Sequence, residues 1–281
     1  MESISVIVTS YNRPEHLQKC IASLEMQTIL PNEIIIADDG SDDECVCAIE
    51  KIIKNAKIEM KFVRQEHKGF RASANRNNGA RIARGEYLFF FDGDLVLFPN
   101  VIELHLKYAR SDRWITGLAL RLNEDLSDEL TLHTIYSRHL NEIWDSASQE
   151  EKQSLLRSAR QFNKRLFWAK LIPSERRLSR LRLASGHFSL YRLAFEKVNG
   201  FDENYVGWGR EDQDLGLRLQ LAGIKGKQLI TEARAFHLYH RRENQPIEGR
   251  SGSSVNNEYF YRRRNGKFWC ENGLIDKDIM T

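Results

Sequence analysis

Two apolar patterns alternate along the first third of the chain. Residues 3–9 (SISVIVT), 33–37 (EIIIA) and 87–91 (YLFFF) are short, nearly continuous apolar runs rich in β-branched or aromatic side chains. Such runs suit strands buried on both faces. Residues 60–64 give one more short strand. Between these runs the apolar positions fall at helical spacing: Leu17, Ile21 and Leu24 after Pro14, then residues 44–55, then Ala74, Ala80 and Ala83 within residues 71–84. Pro14 suits the first turn of its helix because the missing N–H would have had no partner there. Strands alternating with helices predict an α/β fold with a doubly wound, mostly parallel central sheet flanked by helices.

The pattern then loosens and tightens again. Residues 99–112 read as a helix begun by Pro99, and residues 114–122 as a strand. From 123 to 183 the chain is helical, polar and irregular. Within it, residues 157–182 carry nine Lys or Arg against the single acid Glu175, interrupted by Leu166, Phe167, Trp168, Leu171 and Ile172. Residues 185–191 (SGHFSLY) read as a strand, and residues 193–198 as a short helix stopped by Asn199 and Gly200. A loop covers 201–209. A helix over 211–222 carries Leu215, Leu219 and Ala222 on one face, and residues 228–237 end the regular part. The tail 241–281 is rich in Gly, Ser, Asn and Arg and is expected to be mobile. Four segments result: 1–122, a helical basic insertion at 123–183, 184–240, and the tail.

Composition changes this picture little. The 281 residues are 41% apolar and 29% charged, enough for a sizeable core, and the net charge of +3 selects no partner. No apolar run approaches the ~20 residues that span a bilayer. The N-terminus lacks the basic start and apolar stretch of a signal peptide, so a cytoplasmic protein is expected. Cys20, Cys45, Cys47 and Cys270 do not form a paired zinc pattern, and free thiols in a reducing compartment fit them.

In a doubly wound sheet, ligands bind beyond the carboxyl ends of the strands. Here those ends read Thr9-Ser10-Tyr11, Asp38-Asp39 and Asp92-Gly93-Asp94. Two carboxylates one residue apart converge on one cation if the turn between them is tight, which Gly93 permits. Hard Mg²⁺ or Mn²⁺ ions on a diphosphate take one or two such carboxylates. A plain acidic turn is the alternative. A carboxylate at Asp38-Asp39 would accept the imide hydrogen of uracil or thymine, with Thr9 and Tyr11 nearby; an Asx-turn capping the next helix explains the pair equally. Lys68, Arg71 and Arg76 lie in a cationic stretch suited to a diphosphate, whereas Arg81 and Arg84 suit a solvated helix face. Gly207-Trp208-Gly209-Arg210-Glu211-Asp212 sets one flat ring in a flexible loop before two acids. An aromatic platform suits the C–H face of a sugar. The acids alone would also serve a helix N-terminus. His237 is a candidate ligand for Mn²⁺, and His240 lies three residues on, although a lone histidine is more often an ordinary surface or core residue.

Together SVIVTSYNRP (5–14), EIIIADDGSDD (33–43), RNNGARIARGEYLFFFDGD (76–94) and VNGFDENYVGWGREDQDLGLRL (198–219) resemble glycosyltransferase family 2, of the GT-A fold. The last stretch is similar to the acceptor-side segment of bacterial chondroitin polymerases and β-1,4-galactosyltransferases. The resemblance covers residues 3–122 and 184–240; residues 123–183 match nothing. It makes 1–122 a nucleotide-sugar-binding half and 184–240 an acceptor-binding and catalytic segment. It implies that Thr9, Tyr11 and Asp39 hold the nucleobase, Arg71 the nucleotide, and Asp92 and Asp94 the ribose side and the metal. Asp94 is the closer match to the metal ligand, with His237. Asp212 matches the catalytic base, and Glu211 and Trp208 would meet the acceptor. Ser185-Gly186-His187 departs from the family's usual Asn- or Cys-containing strand, which leaves an acceptor role for Gly186 as an expectation.

The expected reaction is inverting transfer of a hexose or N-acetylhexosamine from a UDP-sugar to a glycan or lipid-linked acceptor. Two rivals remain. A sugar nucleotidyltransferase usually carries a Gly-rich phosphate loop after its first strand, and residues 9–14 (TSYNRP) hold no glycine. A non-catalytic carbohydrate- or protein-binding relative should have lost one of the two acidic pairs. The stretch 157–182 suits either an anionic membrane surface or packing on the domain or a second subunit. No nucleic-acid motif accompanies it, so no nucleic-acid partner is expected.

Overall fold

The computed structural model describes residues 2–172, 174–181, 183, 186–241, 254–263 and 266–275. It begins β1 (Ile4–Ser10), α1 (Pro14–Glu25), β2 (Glu33–Asp38), α2 (Asp43–Lys54), β3 (Met60–Arg64), α3 (Ala72–Ile82), β4 (Tyr87–Asp92). It continues β5 (Leu95–Leu97), α4 (Val101–Tyr108), β6 (Arg113–Gly117) and β7 (Leu120–Arg121). The insertion is α5 (Glu124–Glu129), α6 (Leu132–Tyr136), α7 (Leu140–Ser146), α8 (Gln149–Leu171) and α9 (Glu175–Leu178). Then come β8 (His187–Tyr191), α10 (Arg192–Lys197), α11 (Glu211–Leu221), β9 (Lys225–Gln228), β10 (Ala235–His237) and α12 (Ser254–Arg263).

Seven strands form the main sheet in the order β3-β2-β1-β4-β8-β6-β9. All pairs are parallel except β4–β8 and β6–β8, so β8 alone runs against the rest. The apolar runs are buried on both faces because helices cover both. On one side Val6, Val8, Ile34, Ile36, Phe89 and Phe91 pack with Leu17, Ile21 and Leu24 of α1. On the other, Ile7, Ile35, Leu88 and Phe90 meet Ala80, Phe195 and Leu215. A Cβ at Gly79 would sit 2.5 Å from the Ile7 side chain, so α3 rests its backbone almost directly on β1.

The single strand expected over 114–122 is two: β6 stays in the main sheet, and β7 joins a small sheet ordered β5-β10-β7. The break lets the chain pass from one sheet to the other while keeping Leu120 buried. The small sheet brings His237 opposite Leu95, just past the Asp92-Gly93-Asp94 turn. The tail expected to be mobile contains α12, with Asn256 and Phe260 buried, and a segment that buries Cys270. Residues 242–253 and 276–281 of that tail, and Ser185 of the expected strand, lie outside the described residues. All four cysteines are free.

Candidate active site

The acidic turn is built by close approach. The Gly93 amide donates to the Thr9 carbonyl at 2.9 Å. A Cβ at Gly93 would lie 2.4 Å from that same oxygen, so any side chain there would push the turn off β1. Asp92 and Asp94 leave this turn in different surroundings. Asp92 Oδ1 accepts from Arg76 Nη2 at 2.8 Å and from the Thr9 hydroxyl at 3.3 Å, and its amide donates to the Gly186 carbonyl at 3.2 Å. Desolvation raises its carboxyl above the ordinary carboxylate range, against the pull of Arg76.

Asp94 faces two imidazoles. Its Oδ2 lies 3.2 Å from His240 Nε2 and 3.6 Å from His237 Nε2. Each ring's Nδ1 is set against a backbone carbonyl, Leu238 for His237 at 2.9 Å and Arg241 for His240 at 3.3 Å. A carbonyl only accepts, so each Nδ1 carries a hydrogen and each ring turns its Nε2 toward the Asp94 carboxylate. Asp94 Oδ1 is buried without a partner. Burial pushes the Asp94 carboxyl up, but the His240 hydrogen bond and the nearby charge of His237 and His240 bring it below the usual range. One ligand atom from each of Asp94, His237 and His240 lies within 4.8 Å of the others. This mixed carboxylate and imidazole set fits Mn²⁺ or Mg²⁺, Mn²⁺ the better for its tolerance of nitrogen.

Arg76, a candidate for the donor diphosphate, is 4% exposed, and its guanidinium sits between the two acidic motifs. Nη2 bonds Asp92, Nη1 lies 3.7 Å from Glu211 Oε1, and the group stacks over Phe201 at 5.4 Å. Glu211 is buried, and its Oε2 lacks a partner. Burial, with the charge of Asp212 beside it, pushes the Glu211 carboxyl up to about 7 despite Arg76. Asp212 is the more exposed of the two acids, and its Oδ1 accepts from the Gln213 amide at 2.6 Å.

Trp208 holds its ring 41% exposed in a loop with left-handed backbone at Gly207, Gly209 and also Arg210 (φ 79°). A left-handed arginine is costly and persists only where neighbours hold it. Here they come from α12: Arg210 Nε donates to Asn257 Oδ1 at 2.6 Å, its guanidinium stacks over Phe260 and Tyr261, and Asn256 Nδ2 donates to the Gly209 carbonyl at 3.0 Å. On the far side, the Gly207 amide donates to the Phe70 carbonyl at 2.8 Å, tying the loop to the segment before α3.

At the β1 and β2 ends the two acids divide the two readings given for them. Asp38 builds the turn, accepting from the Gly40 and Ser41 amides at 3.1 and 2.7 Å, while Asp42 caps α2 through the Cys45 amide. Asp39 takes no part in that turn: it is buried, with Gln65 Nε2 on one oxygen and the Arg71 amide on the other at 3.2 Å. Tyr11 stacks on His67 with ring centroids 4.6 Å apart. Arg71 also reaches the Glu66 carbonyl. The Lys68 side chain is 64% exposed and paired with Glu66. Gly186 lies beside Asp92, and a Cβ built there would meet only Leu95 at 4.0 Å.

The turn at 92–94 thus meets the histidines through Asp94 and the head of α11 through Arg76, with the Thr9 hydroxyl on Asp92 and the Arg71 amide on Asp39 at the neighbouring strand end. Three further residues take part. His240 was visible as the second half of His-x-x-His. His67 and Gln65 gave no signal, because they reach Tyr11 and Asp39 only through the pairing of β2 with β3.

A mostly parallel sheet whose carboxyl edge carries this acidic, histidine-lined site places the molecule in the GT-A class. Its backbone follows that of Staphylococcus aureus TarS 1–349 in complex with UDP-GlcNAc (TM-score 0.55, 19% identity, 86% of this chain and 60% of that one). It follows equally that of the mannosyltransferase PcManGT from Pyrobaculum calidifontis in complex with GDP-Man and Mn²⁺ (TM-score 0.55, 13% identity, 86% of this chain and 58% of that one). The family model "Glycosyl transferase family 2" matches residues 5–192, and the chain belongs to that family. A second model, "N-terminal domain of galactosyltransferase", matches residues 167–241. Curated relatives include chondroitin synthase of Escherichia coli, 26% identical over 94% of this chain and 40% of that protein. Hyaluronan synthase of Pasteurella multocida is 28% identical over 77% of this chain and 22% of that protein. Validoxylamine A glucosyltransferase of Streptomyces hygroscopicus subsp. limoneus is 28% identical over 79% of this chain and 48% of that protein. The chain thus spans less than half the length of each of these three relatives. Among the described residues, no helix is long and apolar enough to cross a membrane.

Proposed function

We propose that this protein transfers a hexose or N-acetylhexosamine from a UDP-sugar to a glycan acceptor, inverting the anomeric centre, with Asp212 as base. The observation that carries the reading is the joining of the Asp92-Gly93-Asp94 turn to the Glu211-Asp212 head of α11 through Arg76. A donor site and an acceptor site must lie that close for direct displacement.

The residues divide the work. Thr9, Tyr11 and Asp39 receive the uracil end, and Arg71 the nucleotide. Arg76 neutralises Asp92 and fixes the floor between donor and acceptor. A divalent cation, Mn²⁺ or Mg²⁺, would be held by Asp94, His237 and His240, and supplies Lewis-acid stabilisation of the departing diphosphate when bound. Trp208 offers its exposed ring to the acceptor sugar, and Gly186 leaves room beside Asp92. The Asp212 carboxylate takes the acceptor hydroxyl proton as that oxygen bonds to the anomeric carbon and the bond to the diphosphate oxygen breaks. Burial keeps the Glu211 carboxyl mostly protonated below about pH 7, which limits the negative charge beside Asp212 during attack.

The intact acidic pairs favour catalysis over a binding-only role. A donor panel with Mn²⁺, read by nucleoside diphosphate release, identifies the sugar. The anomeric proton coupling of the product then reads the stereochemistry. An α-linked product from an α-linked donor would overturn inversion, and absence of turnover with every UDP-sugar and a polysaccharide acceptor panel would favour the binding role.

A further inference from the structure

The α8–α9 hairpin has an outer face that nothing in the transfer reaction uses. Helix α8 buries Leu155, Ala159, Phe162 and Ala169 toward the domain, with Phe162 edge-on to Trp114 at 5.9 Å. The opposite stripe is exposed, and its chemistry changes along its length. Arg157, Arg160 and Lys164 line the first part. Phe167, Trp168, Leu171 and Ile172 follow, 57, 43, 58 and 53% exposed. Four large apolar side chains together at one helix end are costly in water unless something covers them. At the junction Gln161, Lys164, Arg165, Trp168, Arg177 and Arg180 line a cleft of about 270 Å³, with the Arg177 guanidinium over the Trp168 ring at 5.9 Å.

A cationic stripe that gives way to aromatic and aliphatic tips, with a cation-lined cleft at the boundary, has the layered polarity of a lipid headgroup region. Cations meet phosphates at the surface while apolar tips pass below them. Nine cations against one acid over residues 157–182 exclude a cationic or neutral protein face as the better complement. The hairpin also adjoins the acceptor side of the site: the Ser179 carbonyl accepts from Gln213 Nε2, one residue past Asp212.

We propose that this face docks on an anionic membrane, Phe167, Trp168, Leu171 and Ile172 entering the interface and the cleft taking a lipid phosphate. Docking would set the head of α11 beside the bilayer, within reach of an acceptor carried on a lipid.

The test is flotation of the full chain with vesicles of phosphatidylcholine alone or mixed with phosphatidylglycerol. Recovery is expected only with the mixed vesicles and falls with salt. Each surface cation is worth about fivefold in membrane partition, so Lys164→Ala with Arg180→Ala should lower it roughly 25-fold. Trp168→Ser with Leu171→Ser should abolish recovery while the circular dichroism spectrum of the folded chain is retained. Equal recovery with both vesicle types, or undiminished recovery of either double variant, would overturn the proposal. So would a dimer in light scattering that dissociates in the Trp168 variant, which would mean a second copy covers the face. These readouts need no turnover, so they stand or fall separately from the glycosyl-transfer reading.

Discussion

Glu211→Gln removes the charge that burial and Asp212 resist most strongly while keeping the side chain's shape. The carboxyl ionises near its ordinary 4.5 in the unfolded chain and at about 7 in the fold. Its folded-state pKa is raised, so stability is fully present below the unfolded value and is lost as pH rises toward 7. The loss amounts to about 1 kcal/mol at pH 5 and about 3 kcal/mol at pH 8. Glutamine has no such ionisation. The variant should therefore gain about 2 kcal/mol on the wild type between pH 5 and pH 8, or roughly 4–8 °C in Tm for a chain of this size. The assay is urea or thermal unfolding of both proteins across that range, without donor or cation. The curves should nearly meet at acid pH and separate above neutrality, the variant becoming the more stable. Parallel curves, or a variant less stable at pH 8, would mean that the Arg76 ion pair outweighs burial, and would refute the reasoning.

Three other outcomes follow from the same geometry. Asp212→Asn should lower kcat by roughly 10²–10⁴-fold with donor affinity kept, by calorimetry with a UDP-sugar; a wild-type rate would remove Asp212 as base. Asp94→Ala and His240→Ala should each weaken Mn²⁺-dependent donor binding by about tenfold or more, with cation-free binding unchanged; an effect confined to Asp94→Ala would exclude His240 as a ligand. Asn256→Ala removes the α12 bond to the Gly209 carbonyl and should raise acceptor KM roughly fivefold, for a hydrogen bond of about 1 kcal/mol. The donor KM should not move, and a change in donor KM instead would mean that α12 does not act through the Trp208 loop.

Much of this molecule was legible in its sequence because burial on both faces writes itself as continuous apolar runs. Residues 3–9, 33–37 and 87–91 needed no partner information to be read as β1, β2 and β4, and their polar ends marked the site. The motif Asp92-Gly93-Asp94 was readable because strand ends are where a doubly wound sheet binds. The break between β6 and β7 was not readable, since Leu118 and Ala119 keep the run apolar while the chain changes sheets. Nor was the ordered tail: polar composition suggests mobility, but Asn256, Phe260 and Cys270 are buried by contacts with residues distant in sequence. Arg76 shows the division best. The sequence marked it as a cation near a phosphate site. Only tertiary packing set it between Asp92 and Glu211, residues separated by more than a hundred positions, because local spacing carries no record of which buried charges must neutralise one another.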